Sequence, residues 1–175
     1  MALLALAGPA YGQAAWQARQ VAGVAVEVYD PASGPQLGRR PLLIVLHGCA
    51  QSAQAIRQRA GLERASAEAN AVIAVPSVPN GGVLIGCWDY YGANHTRATR
   101  HVRPLLGMVD ALLADEALDI APEKVWIAGL SSGGGQAAIM GCVAPDVFAG
   151  VGVATGPAVG TSSGEIGRVA TDVAQ

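Results

Sequence analysis

Four short runs in this chain are almost wholly apolar, and stretches of helical spacing separate them. The runs are LLIVL (42–46), AVIAV (71–75), KVWIA (124–128) and 148–154. A strand buried on both faces reads this way, because a parallel sheet covered by helices leaves it no solvent side. Helices are expected at 52–70, with Ser52 as N-cap, at 101–115, and from Ser132 to about Val143. In the second of these, Leu105, Leu106, Val109, Leu112 and Leu113 recur at helical spacing. One more strand is expected at 24–29 (VAVEVY), closed by the turn PASGP at 31–35. Strand and helix alternate, so the class is α/β with a mostly parallel sheet, one domain and no internal repeat.

Composition narrows the function. The 175 residues carry 11 Lys+Arg against 13 Asp+Glu, for a net charge of -2, so a basic nucleic-acid surface is not expected. Hydrophobic residues make up 51% and charged ones 14%, which argues against disorder. No apolar run reaches the roughly 18 residues of a membrane-spanning helix, so no membrane partner is expected. The segment 1–15, MALLALAGPAYGQAA, reads as a signal peptide lacking its basic start, with Gly12 and Ala14 at the -3 and -1 positions of a cleavage site. The expected localisation is therefore secreted, extracellular or periplasmic. The expected domain occupies 16–175.

The motif with most chemical content is Gly129-Leu130-Ser131-Ser132-Gly133, a G-x-S-x-G between a buried strand and a helix. That setting is what a nucleophile elbow requires, since the glycines flanking the serine remove side chains that would collide in so sharp a turn. The spacing selects Ser131 as nucleophile. Ser132 follows, with its backbone N–H at the helix start facing a developing oxyanion. The sequence lacks the glycine spacing of a dinucleotide fingerprint and the G-x-x-x-x-G-K-[ST] of a Walker loop. His47-Gly48-Cys49 follows the run LLIVL, where a loop can supply the second oxyanion N–H. His47 itself is read as orienting that loop.

The stretch 77–99 is a long loop rich in Gly, Pro, Asn and aromatics, and loops of that length are usually functional. Trp88, Tyr90 and Tyr91 either line an apolar groove or pack the loop onto the core. His95 and His101, with Arg97, Arg100 and Arg103, read as a solvated basic helix start. Cys49, Cys87 and Cys142 fit no zinc spacing.

PLLIVLHGCAQSA, GCWDYYGANH, VWIAGLSSGGGQAAIMGC and APDVFAGVGVATGPAVGT together resemble the secreted polyhydroxybutyrate depolymerases, from about residue 24 onward. The resemblance implies an α/β-hydrolase fold and a serine esterase acting on polyhydroxybutyrate or its oligomers. Ser131 matches the nucleophile, and the amides of Ser132 and Cys49 match the oxyanion hole. No metal or organic cofactor is implied. Feruloyl and acetylxylan esterases share some of these motifs and form the alternative, together with a non-catalytic ester-binding protein on a degenerate hydrolase scaffold.

The family's triad runs Ser, then Asp or Glu, then His. After Ser131 the chain offers Asp146, Glu165 and Asp172 but no histidine. The chain is therefore expected to be an N-terminal fragment, incomplete at the C-terminus. Its acid and base would lie beyond Gln175, and it would turn over esters negligibly by itself. Cys49 and Cys87 both neighbour the proposed active site, so a disulfide between them is expected to tie the CWDYY loop to the oxyanion loop, with Cys142 pairing with a cysteine in the part expected beyond Gln175; three reduced, buried thiols are the alternative.

Overall fold

A computed structural model describes residues 14–31 and 39–162. Its strands are β1 (Ala15–Val21), β2 (Val24–Asp30), β3 (Arg40–Leu46), β4 (Val72–Pro76), β5 (Ile120–Leu130) and β6 (Gly150–Ala154). Helices α1 (Ala53–Arg59), α2 (Leu62–Ala69), α3 (Val102–Leu113) and α4 (Ser132–Val143) connect them. The strands form one sheet in the order β1-β2-β4-β3-β5-β6. β3, β4, β5 and β6 run parallel, while β2 lies antiparallel to β4 and β1 antiparallel to β2. The segments 1–13 and 163–175, which include most of the expected signal peptide as well as Glu165 and Asp172, lie outside the described residues, as does most of the turn at 31–35.

Pleating sends alternate side chains to opposite faces and divides the apolar residues into two layers. One layer joins Val26, Val28, Leu42, Ile44, Val125 and Ile127 to the buried faces of α3 and α4, including Leu105, Met108, Ile139 and Met140. The other joins Ile73 and Val75 to Ala53, Ile56 and Leu62 from α1 and α2. Among the four expected runs, β4 alone is buried at every residue. The two short helices pack over β4 and β2, so the same face of β5 is left open and Trp126 is 37% exposed. β6 is an edge strand, and its Val151 and Val153 remain partly exposed. Among the described residues no helix is long and apolar enough to cross a membrane.

Two local expectations need correction. The single helix at 52–70 is two helices. Ser52 caps α1, its Oγ accepting from the Ala55 amide at 3.1 Å, but Gly61 takes a left-handed φ of 63° and starts α2 on a new axis. The strand β1, unanticipated in the sequence, forms a hairpin with β2 through Ala22 and Gly23, both at positive φ (49° and 80°). Two left-handed residues in succession match the right-handed twist of paired strands.

Arg40 ties the start of β3 to its surroundings. It is buried, pairs with Asp30, and donates to the Leu118 carbonyl through Nε (3.0 Å) and Nη2 (2.6 Å). A buried guanidinium is tolerated because its donors are matched; removing it strands the partners. Arg40→Ala is expected to cost about 3 kcal/mol, read as a lower urea midpoint; an unchanged midpoint would show the network to be dispensable.

Candidate active site

Ser131 sits at a sharp turn between the end of β5 and the start of α4. Its backbone holds φ 54° and ψ -121°, a conformation costly for any residue with a Cβ. The amide of Ser131 donates to the Ala154 carbonyl at the end of β6 (2.9 Å). Missing side chains make the turn possible. A Cβ on Gly129 would lie 2.1 Å from the Gly133 carbonyl oxygen. One on Gly133 would lie 2.4 Å from that of Leu46 and 2.5 Å from that of His47. The elbow therefore packs backbone against backbone on the end of β3.

The loop after β3 lies against this elbow. A Cβ on Gly48 would be 3.3 Å from that of Ser131. Most amides in the loop are occupied: Gly48 donates to Gln51 Oε1 (2.7 Å), Ala50 to the Ile85 carbonyl (2.8 Å) and Gln51 to the Gly48 carbonyl (3.3 Å). The Cys49 amide has no acceptor among the described residues. Ser132 opens α4, where an N–H has no intrahelical acceptor. Its side chain is buried, and Oγ accepts from the Trp88 amide (3.4 Å). This leaves two backbone donors beside the serine, as an oxyanion hole needs.

Cys49 and Cys87 form a disulfide that ties the long loop to the loop after β3. Three reduced thiols are thereby ruled out, and Cys142 is a free, exposed thiol. The aromatics of this loop mostly pack inward. Trp88 is fully buried between His47 and His101, with ring centroids 5.6 and 5.7 Å away. Tyr90 is buried where a Cβ on Gly135 would meet it at 2.9 Å, and Tyr91 is half-buried beside it.

None of the three imidazoles hydrogen-bonds Ser131. The Val78 amide donates to His47 Nε2 (3.3 Å), which makes Nδ1 the protonated nitrogen that donates to the Gly48 carbonyl (2.8 Å). His47 thus bridges the loop after β3 to the segment after β4. His101 Nδ1 accepts from the Asp89 amide (2.9 Å), and His95 Nε2 contacts the Gly92 carbonyl (3.1 Å).

The expected solvated helix start holds for Arg97, Arg100 and Arg103, which are exposed, and fails for His101. His101 is 1% exposed, and Arg97 bonds to the Val143 carbonyl and to Asp146 across 49 positions. Asp146 is accordingly a surface ion-pair residue. It lies beyond the far end of α4, about 18 Å of helix from the elbow. Its carboxyl is held below the usual range first by its own backbone N–H and then by Arg97.

Burial lowers the pKa of His47, against the raising pull of the Gly48 carbonyl. Burial pushes His101 down to about 4, partly countered by Asp89 and assisted by Arg100. The unfolded chain takes up these protons near pH 6.5 while the folded protein does not. Stability is therefore full above about pH 6.5 and falls as pH drops toward 4. Urea midpoints at pH 8, 6 and 4.5 are expected to decline in that order; a flat series would mean the imidazoles pay no burial penalty. Gly133→Ala is expected to lose at least about 3 kcal/mol or to be insoluble. Gly107→Ala in α3, where the nearest contact would be an ordinary 3.6 Å, is expected to fold normally.

Comparison with known proteins agrees with this geometry. The family described as Esterase PHB depolymerase matches residues 24–174. The poly(3-hydroxybutyrate) depolymerase of Ralstonia pickettii is 39% identical over 94% of this chain and 36% of its own length. The poly(3-hydroxyalkanoate) depolymerase C of Paucimonas lemoignei is 30% identical over 67% of this chain and 28% of its own. The chain thus spans about a third of each of these curated relatives. Among solved structures, the acetyl xylan esterase from Aspergillus awamori superposes with a TM-score of 0.71 at 19% identity, over 86% of this chain and 56% of that one. On this combination of elbow, sheet order and sequence identity, the chain belongs to the PHB depolymerase esterase family and has the α/β-hydrolase fold.

Proposed function

We propose that this chain carries the nucleophile and oxyanion side of a serine esterase that hydrolyses ester bonds of polyhydroxybutyrate or its oligomers. The observation behind it is the strained Ser131, held at φ 54° between β5 and α4 with the amides of Ser132 and Cys49 beside it. In the proposed reaction Ser131 Oγ attacks the ester carbonyl and the oxygen gains negative charge. The two amides stabilise that charge, each contributing about 2.7–4 kcal/mol to the transition state. The alcohol leaves, an acyl-enzyme remains on Ser131, and water releases the acid. The serine needs a base to become nucleophilic. In this reading none of His47, His95 and His101 supplies it, which their hydrogen bonds to backbone support.

The polyester reading rests on 39% identity to a named polyester depolymerase. The carbohydrate-ester reading has only a fold likeness at 19% identity behind it. We also assign the protein to an oxidising, extracytoplasmic compartment. The Cys49–Cys87 disulfide supports this, since such bonds persist there.

The full-length gene product is expected to cleave 3-hydroxybutyrate oligomers faster than feruloylated or acetylated sugars. Ser131→Ala is expected to lower kcat by about 10⁴-fold or more. A preference for the sugar esters would overturn the substrate, and an active Ser131→Ala would overturn the mechanism.

A further inference from the structure

We propose that the cleft beside Leu130 receives the carboxylate-bearing end of a hydroxyacid oligomer, with Arg59 as the residue that reads its charge. The proposal rests on the esterase reading above and deepens it, by naming which end of the substrate lies on which part of the chain.

The cleft has a volume of about 540 Å³, within the range of small-molecule sites. One wall is a single stripe of α1 and its cap. Ser52, Ala55, Ile56, Arg59 and Ala60 recur at the three- and four-residue spacing that shares a helix face. The rest of the lining is Ala50, Gln51 and Leu130, the residue before Ser131. Gln51 marks the end nearer the nucleophile. Its Oε1 accepts from the Gly48 amide at 2.7 Å, and a Cβ on Gly48 would lie 3.0 Å from that oxygen and 3.3 Å from the Ser131 Cβ. With its oxygen so engaged, Gln51 keeps the Nε2 hydrogens as donors. Arg59 stands at the other end of α1, about 10 Å of helix from Ser52.

Charge balance at the end of the helix does not account for Arg59. Arg57 occupies the same last turn and pairs with Glu27 of β2 at 2.6 Å. Two positions on, a helix has turned through about 200°, which carries Arg59 away from Glu27 and into the cleft wall. Among the described residues Arg59 has no carboxylate partner, whereas Arg57, Arg64 and Arg97 each have one. No Asp or Glu is among the described lining residues. A largely apolar groove with one unpaired guanidinium at its far end suits a chain that is neutral along its length and anionic at its tip. A guanidinium takes a carboxylate through two parallel hydrogen bonds.

Oligomers of a hydroxyacid have this form. Their free carboxylate lies on the alcohol side of every ester bond, so the cleft holds the leaving group. The bond from Ser131 Oγ to the acyl carbon forms, the bond from that carbon to the alcohol oxygen breaks, and the proton lost by Ser131 ends on that oxygen. A hydroxyacid anion departs from Arg59. A neutral sugar as leaving alcohol has no carboxylate to offer.

The test uses the full-length gene product carrying Ser131→Ala, titrated calorimetrically at pH 7 with the 3-hydroxybutyrate trimer as its free acid and as its methyl ester. The free acid is expected to bind about tenfold more tightly. Arg59→Gln in that background is expected to erase the preference by weakening the acid, and Arg59→Lys to restore part of it. Arg59 is exposed, so both variants are expected to melt with the parent. Arg64→Gln, on α2 and outside the cleft lining, is expected to leave the preference intact. In the protein that retains Ser131, Arg59→Gln is expected to raise KM for the acid trimer more than it changes kcat. An Arg59-dependent preference in a protein without Ser131-dependent hydrolysis would keep the subsite and remove the esterase. Equal affinities, no binding of either form, or a preference that survives Arg59→Gln would overturn the subsite while Ser131-dependent hydrolysis still upheld the esterase.

Discussion

Everything around Ser131 depends on two backbones touching with no side chain between them. Gly133 brings the first turn of α4 against the carbonyls of Leu46 and His47, and Gly129 lets the chain fold back on that turn. The contact joins the end of β5 to the end of β3, so Ser131 and the loop after β3 are held against each other. Any larger residue would have to wedge the sheet apart or push the elbow outward, and either would part Ser131 from the loop after β3.

A second tier of organisation comes from imidazoles used as struts. His47 bridges the loop after β3 to the segment after β4, and His101 receives the Asp89 amide from the long loop. Trp88 fills the space between the two rings. Histidine suits this task because one neutral ring accepts and donates in fixed directions. Its cost is that both rings must remain uncharged, which places the stability of the site at the mercy of acid.

The sequence exposed the parts of this architecture that are local. Runs such as AVIAV and the strand–turn–helix setting of G-x-S-x-G need only their own neighbours to be read, and β4 and the elbow lie where they indicate. Ser52 was legible as a cap for the same reason. What stayed hidden was long-range or rested on an unusual backbone. The β1–β2 hairpin turns on Ala22, a residue that does not signal a left-handed turn. The break between α1 and α2 hinges on Gly61, which helical periodicity alone passes over. His101 stands among arginines and reads as solvated, yet its ring points inward while Arg97 reaches Asp146, 49 positions away. The pairing of Cys49 with Cys87 is legible only once both are placed beside the G-x-S-x-G turn, since their spacing of 38 says nothing by itself.

The disulfide gives the site a history as well as a shape. The bond spans 38 positions and anchors the loop that carries Trp88, the partner of Ser132 Oγ. In a reducing compartment a crosslink of this kind does not persist. There the loop would be held by hydrogen bonds and packing alone. Maturation of the site is thus coupled to redox surroundings: the same polypeptide is a looser object before oxidation and a shaped one after it.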